Sequence, residues 1–299
     1  MTDADGTGQP AMSRAQKILQ RTGVGLSLAV GVAVLLWIAH VTESSALVLL
    51  IGALLAWFAG GEAARLVDLI YGKQGGQRST RLAFLGATVL TTVVLGWVRN
   101  NEQAFFGGPA SHDSWRALAL FGLAQMSALA AAALLSPRPW RGMVFGGAIW
   151  SVAPLVSLVL IWDSLGMGGL ISLVVLSKFG DVTGYYGGNA FGRHHPFTKL
   201  SPGKTTEGCL ASLAGGVGMA WLLSALGLLE LPVLPALGLG AALNLAAQAG
   251  DLLESWFKRQ AGVKDSGTLF GPSGGALDVV DSLLLTVPTM LILAPLLFG

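Results

Sequence analysis

The chain has 299 residues, of which 53% are hydrophobic and 11% charged, with a formal net charge of +2. Soluble domains carry roughly 25% charged residues, so a water-bathed globule is excluded, and the mean hydropathy of +0.66 makes lipid the solvent for most of the chain. The near-neutral balance excludes a polybasic nucleic-acid surface. The single cysteine, Cys209, excludes an internal disulfide framework and a cysteine metal cluster.

Residues 1–22 are polar and read as a cytoplasmic lead. The apolar run that follows is too long for a signal-peptide core and has no clear small-residue cleavage site, so it reads as a retained span. A spanning helix needs about 20 mostly apolar residues. Nine such segments are expected, near 23–41, 45–64, 82–98, 115–136, 142–162, 166–190, 208–228, 232–257 and 276–298. The fold class is therefore all-α, a polytopic membrane helix bundle of about nine transmembrane helices with a cytoplasmic N-terminus. With that orientation the inner loops receive most of the basic residues, from Arg14 and Lys17 through Arg193, Lys199 and Lys204 to Lys258, Arg259 and Lys264. The outer side receives only Arg99 and Arg116. Removing one span would put basic loops on both faces. Residues 23–165 read as a transmembrane scaffold and 166–299 as a catalytic region. In the scaffold, Glu62 near the end of the second span reads as a carboxylate snorkelling to the interface.

The chemistry is expected after residue 176. The sixth span carries Asp181, Tyr185 and Gly188 on one face. The loop after it holds Arg193, Lys199, Ser201 and Lys204, placing positive charge where a nucleotide would arrive. Gly203-Lys204-Thr205 has the form of a P-loop ending. A P-loop also needs glycine at 198, where Thr198 stands, and a preceding strand, so that motif is rejected. The Gly-rich segment 214–218 suits helix packing, within one subunit or between two.

The eighth span ends with Asp251, Glu254, Ser255 and Lys258 at i, i+3, i+4 and i+7, one polar stripe on a bilayer helix. Such residues face a bundle interior or a wet cavity and are functional candidates. The next loop holds Lys264 and Asp265 and ends in Ser273-Gly274-Gly275, where glycine lets backbone approach a ligand. The last span opens with Asp278 and Asp281 on one face. Two carboxylate-bearing helix faces around a basic loop suit a hard cation held by oxygen, such as Mg²⁺ completed by substrate phosphates.

These residues resemble the phosphatidate cytidylyltransferase family. Its C-terminal signature is matched by Ser255, Lys258, Arg259, Lys264, Asp265, Gly274, Gly275, Asp278 and Asp281, and its upstream pattern by Asp181, Tyr185, Gly188 and Ser201 to Gly208. The resemblance is close over residues 177–285. It implies an integral membrane enzyme of phospholipid biosynthesis, multi-pass in the cell inner membrane with its site facing the cytoplasm. It further implies a homodimer that joins CTP to phosphatidic acid within the lipid bilayer, giving CDP-diacylglycerol and pyrophosphate. The implied metal ligands are Asp251 and Asp278, with Asp281 on the same Mg²⁺ or on a second cation. Lys258, Lys264 and Asp265 are the implied catalytic companions. Lys204, Arg259, Ser201, Asp181, Tyr185, Glu254, Ser255, Ser273, Gly274 and Gly275 are expected around the substrates. Two positions depart from the pattern: Ser273 replaces the family's His and Val279 its Arg. Activation of another lipid phosphate, such as an isoprenoid one, and cation-coupled transport are the competing readings.

Overall fold

The computed structural model describes residues 27, 30–71, 77–100, 119–127, 139–271 and 274–298. Every element among them is a helix. In chain order they are α1 (Val30–Val41), α2 (Ser45–Tyr71), α3 (Gln77–Asn100), α4 (119–127), α5 (Pro139–Val156) and α6 (Leu158–Phe191). Then come α7 (Thr206–Ala225), α8 (Val233–Gln260), α9 (Ala276–Val280) and α10 (Leu283–Leu297).

Among the described residues, six apolar helical stretches are long enough to cross a bilayer. This establishes the membrane bundle but not the count of nine. Of the first candidate only the short α1 lies among the described residues, and of the fourth only α4. One stretch, Gly146–Phe191, has 46 residues. At about 1.5 Å per residue it is more than twice as long as the roughly 30 Å hydrocarbon core. It does not run straight: Gly166 has φ 64° and ψ −164°, a left-handed break that only glycine adopts cheaply. The break falls where the fifth and sixth candidate spans were expected to part.

Small residues set the packing. Gly180, Gly184, Gly188 and Gly192 recur every fourth residue along α6 and its cap. A Cβ on Gly184 or Gly188 would crowd the Gly208 backbone, Ser212 or Thr205 of α7 and its cap. Further along α7, Gly216 leaves room for Asn244 of α8, and Gly240 of α8 leaves room for Ala220. Close backbone approach of this kind holds membrane helices together where no water drives association. Gly215 packs against Thr183 and Gly216 against Asn244, so these members of the 214–218 segment serve contacts within the subunit.

Helix ends are built locally. The Thr205 hydroxyl caps α7 by accepting the Gly208 N–H at 3.0 Å. In its first turn Glu207 accepts the Arg193 and His194 N–H groups and meets His194 Nδ1 at 2.6 Å. That folds the 192–205 loop back onto α7. Helix α8 ends in a Schellman turn: Gly262, at φ 70°, donates to the Arg259 carbonyl and Val263 donates to that of Lys258. Arg259 also donates to the Leu200 carbonyl at 3.2 Å. The two basic loops assigned to one membrane face by their charge thus lie together.

Candidate functional site

The site forms where α6, α7 and α8 converge beside the break between α9 and α10. A cavity of about 560 Å³ opens there, within the usual size range of small-molecule sites. Its wall includes Asp181, Tyr185, Asn189, Lys204, Gln248 and Asp251, with the glycine row of α6 between them. At its floor the Gln248 amide donates to the Asn244 side chain at 2.6 Å and to the Cys209 carbonyl at 3.2 Å. Asn244 in turn donates to Ser212 at 3.0 Å. This amide chain fixes polar groups that would otherwise be costly to bury.

Asp251 belongs both to the cavity wall and to a carboxylate group behind it. Asp251, Glu254 and Asp281 each offer an oxygen, and these lie within 4.8 Å of one another. Gly250 makes the approach possible: a Cβ there would stand 2.7 Å from the Asp281 carbonyl. The turn at Asp281–Ser282 therefore rests directly on the α8 backbone, one residue before Asp251.

Lysines surround the group. Lys204 meets Asp251 at 2.6 Å, Lys178 meets Asp281 at 2.9 Å, and Lys258 bridges Glu254 at 2.5 Å and Asp278 at 2.6 Å. Glu254 is fully buried: its Oε2 meets the Lys258 ammonium, while its Oε1 has no hydrogen-bond partner among the described residues. A buried carboxylate with an unmet oxygen beside two others is a donor set that fits a hard divalent cation. The expected ligand set of Asp251, Asp278 and Asp281 shares two members with this group.

Asp278 sits apart. Its Oδ1 faces Lys258. Its Oδ2 accepts the Ser266 N–H at 2.8 Å, the Ser266 hydroxyl at 2.7 Å and the Gly275 N–H at 2.7 Å. In this arrangement Asp278 ties Ser266 to Gly275 and reaches the carboxylate group through the Lys258 ammonium. The glycines expected to admit a ligand admit carboxylates of the protein. Gly274, at φ 86°, has Asp278 where its Cβ would be, and Gly267 and Gly275 have Glu62 there. Glu62 accepts the Ala276 N–H at 3.0 Å and the Leu277 N–H at 2.9 Å, and its Oε2 lies 2.8 Å from the Ser266 hydroxyl, whose single proton it shares with Asp278. This replaces the snorkelling role read from sequence.

Of the other expected residues, Ser255 is buried under Asp251, which its hydroxyl approaches at 3.4 Å. Ser201 accepts the Lys204 N–H through its carbonyl, shaping the loop that presents Lys204. Lys264 and Asp265 are exposed, and Ser273 lies outside the described residues. Sequence reasoning passed over Lys178 and the loop-holding role of Glu62. Lys178 carried a signal, since it precedes Asp181 and Tyr185 at i, i+3 and i+7 on one face of α6. Glu62 carried none, since its partners lie more than 200 positions away.

Comparison with known proteins bears on this arrangement. The family model described as "Cytidylyltransferase family" matches residues 19–297. The chain is 30% identical over 234 residues to a phosphatidate cytidylyltransferase of Pseudomonas aeruginosa, covering 69% of this chain and 86% of the relative. It is 36% identical over 164 residues to one of Brucella abortus, covering 52% of this chain and 59% of the relative. A chloroplastic phosphatidate cytidylyltransferase of Arabidopsis thaliana is 35% identical over 149 residues, covering 50% of this chain and 34% of the relative. The chain thus spans less than two thirds of the Brucella and Arabidopsis relatives it matches.

Proposed function

Because the chain belongs to the cytidylyltransferase family, we propose that it is a phosphatidate cytidylyltransferase, making CDP-diacylglycerol and pyrophosphate from CTP and phosphatidic acid. One observation carries the reading. Asp251 stands at once in a cavity wall beside Lys204 and in a group of three carboxylates at the end of a membrane helix. That arrangement suits two phosphate-bearing substrates, one from water and one from lipid.

In the proposed reaction a phosphate oxygen of the lipid attacks the α-phosphorus of CTP. The new P–O bond forms as the bond to the β-phosphate oxygen breaks, and pyrophosphate leaves. The attacking phosphate is already an anion near neutral pH, so no strong base is required. The obstacle is repulsion between two anions. Lys204, on the cavity wall, Arg259, in the last turn of α8, and Lys264, on the loop after it, supply positive charge for the triphosphate. Lys258 holds Glu254 and Asp278 in place beneath it, and Asp181 and Tyr185 line the side from which CTP or lipid is gripped. Asp251, Glu254 and Asp281 would hold Mg²⁺, with Asp278 behind them on the Lys258 ammonium. Bound there, the metal would neutralise phosphate charge and polarise the reacting phosphorus. The site faces the cytoplasm of the inner membrane in this reading, and the family resemblance extends it to a homodimer.

The test is direct. Purified protein in proteoliposomes receives CTP labelled at the α-phosphate, Mg²⁺ and a panel of lipid phosphates. Labelled CDP-diacylglycerol with equimolar pyrophosphate is expected from phosphatidic acid. No CDP-lipid from any member of the panel would overturn the reading. Product from an isoprenoid phosphate alone would reassign the lipid, a point sharpened by Val279 standing where the family carries Arg.

A further inference from the structure

We propose that Glu62, on α2 in the N-terminal scaffold, is a positioning residue for the active site: its carboxylate fixes Ser266 and the Ala276–Leu277 backbone, which together aim Asp278 at Lys258. The proposal rests on the reading above, and its test is built to be judged separately from it.

The geometry is specific. Both Glu62 oxygens are used, Oε1 by the Ala276 N–H and Oε2 by the Leu277 N–H, with the Ser266 hydroxyl 2.8 Å from Oε2. Those two N–H groups open the last membrane helix, whose first N–H groups have no partner within the helix. A carboxylate from another helix fills that need. Gly267 and Gly275 bracket the carboxylate so tightly that a Cβ on either would overlap it. One turn along α2, Arg65 reaches the Ser266 carbonyl at a long 3.5 Å, so α2 grips the same loop residue twice.

Ser266 is the link to the chemistry. It is fully buried, and its N–H and hydroxyl both reach Asp278 Oδ2, while Asp278 Oδ1 meets Lys258. Lys258 pairs in turn with Glu254 of the carboxylate group. The chain from scaffold to site therefore runs Glu62, Ser266, Asp278, Lys258, Glu254. Glu62 touches neither cavity nor carboxylate group, so it acts through the others.

Glutamine in its place keeps the shape but turns an NH₂ against a backbone N–H whichever way it flips, because both oxygens accept. Residues that orient a site through its ligands lower activity or affinity by about 10- to 100-fold when changed. The experiment compares wild type, Glu62→Gln, Ser266→Ala and the double variant, each purified by size exclusion so that rates are per folded molecule. Three results are expected. Glu62→Gln lowers kcat/KM for CTP by about 10- to 100-fold and raises the half-saturating CTP and Mg²⁺ concentrations. Trypsin cleaves after the exposed Lys264 faster than in wild type, without substrate or metal present. The double variant loses little more than Glu62→Gln alone, because both act on one linkage.

A residue that merely stabilised the fold would lower the yield of folded protein and leave half-saturation and the cleavage rate unchanged, and that outcome overturns the proposal. Additive losses in the double variant overturn it too. If Glu62→Gln is not recovered folded, Ser266→Ala decides by the same two readouts. A wild type that makes no CDP-lipid sinks the proposed reaction, while the Lys264 cleavage comparison still judges Glu62.

Discussion

Replacing Gly250 by alanine adds one methyl group at the point where α8 meets the turn between α9 and α10. The new Cβ would stand 2.7 Å from the Asp281 carbonyl oxygen. A comfortable carbon–oxygen contact is about 3.3 Å, so the helices must part by roughly 0.6 Å. The obstacle is backbone on a packed helix, so no rotamer change relieves it. Overpacking of this kind costs about 1–3 kcal/mol, which a bundle of this size survives. The site is less tolerant, because the displaced groups are the neighbours of the contact: Asp251 on one side and Asp281 on the other, within 4.8 Å of each other in the native protein. A misplacement near 1 Å can cost about 100-fold in rate, so a 10- to 100-fold loss of CDP-lipid synthesis is expected from Gly250→Ala. The assay is initial-rate product formation in proteoliposomes, with thermal unfolding in detergent run alongside. Gly218→Ala is the control, since nothing lies within 4 Å of a Cβ there. It should keep wild-type activity and, in mid-helix, match or exceed wild-type stability. Wild-type rates in Gly250→Ala would refute the argument that this glycine sets the spacing of the carboxylates.

Other outcomes follow from the charge pairs. Lys258→Met leaves buried Glu254 and Asp278 without their shared cation, so it should destabilise the protein by about 3 kcal/mol or more. Adding Glu254→Gln should restore much of the melting temperature but none of the activity. Asp281→Asn removes a member of the carboxylate group and should raise the half-saturating Mg²⁺ concentration by about 10-fold or more. Asp278→Asn should abolish turnover, and protease sensitivity of the 261–271 loop should rise with it, because this carboxylate holds Ser266 and Gly275. A loop as resistant as wild type would show that Asp278 does not organise it.

What the sequence revealed and withheld follows from range. Helical periodicity put Asp251, Glu254, Ser255 and Lys258 on one face, and the structure makes the i, i+4 pairs Ser255–Asp251 and Lys258–Glu254. Composition revealed the membrane bundle, and the expected parting of the fifth and sixth spans falls at the break now seen at Gly166. Tertiary pairings were not legible. Lys178 reaches Asp281 across 103 positions, and no local period encodes such a contact. Glycines were legible as gaps but not as to what fills them. Those at 274 and 275 had the look of a ligand cradle, yet the space is occupied by Asp278 and Glu62. Asp278, expected as a ligand, also accepts the amides of a loop that sequence alone could not fold.

The glycine row on α6 also restricts traffic. Where the α6 backbone lies against Gly208 and Ser212, and where Gly216 and Gly240 bring α7 against α8, the seams are too narrow for an acyl chain to slide through. Two walls of the chamber are thereby shut to a double-tailed molecule. Between α6 and α8 the Asn244 side chain fills the space beside Gly180, so in the proposed reaction an arriving headgroup would pass the exposed Asp181 and Tyr185 on the cavity wall.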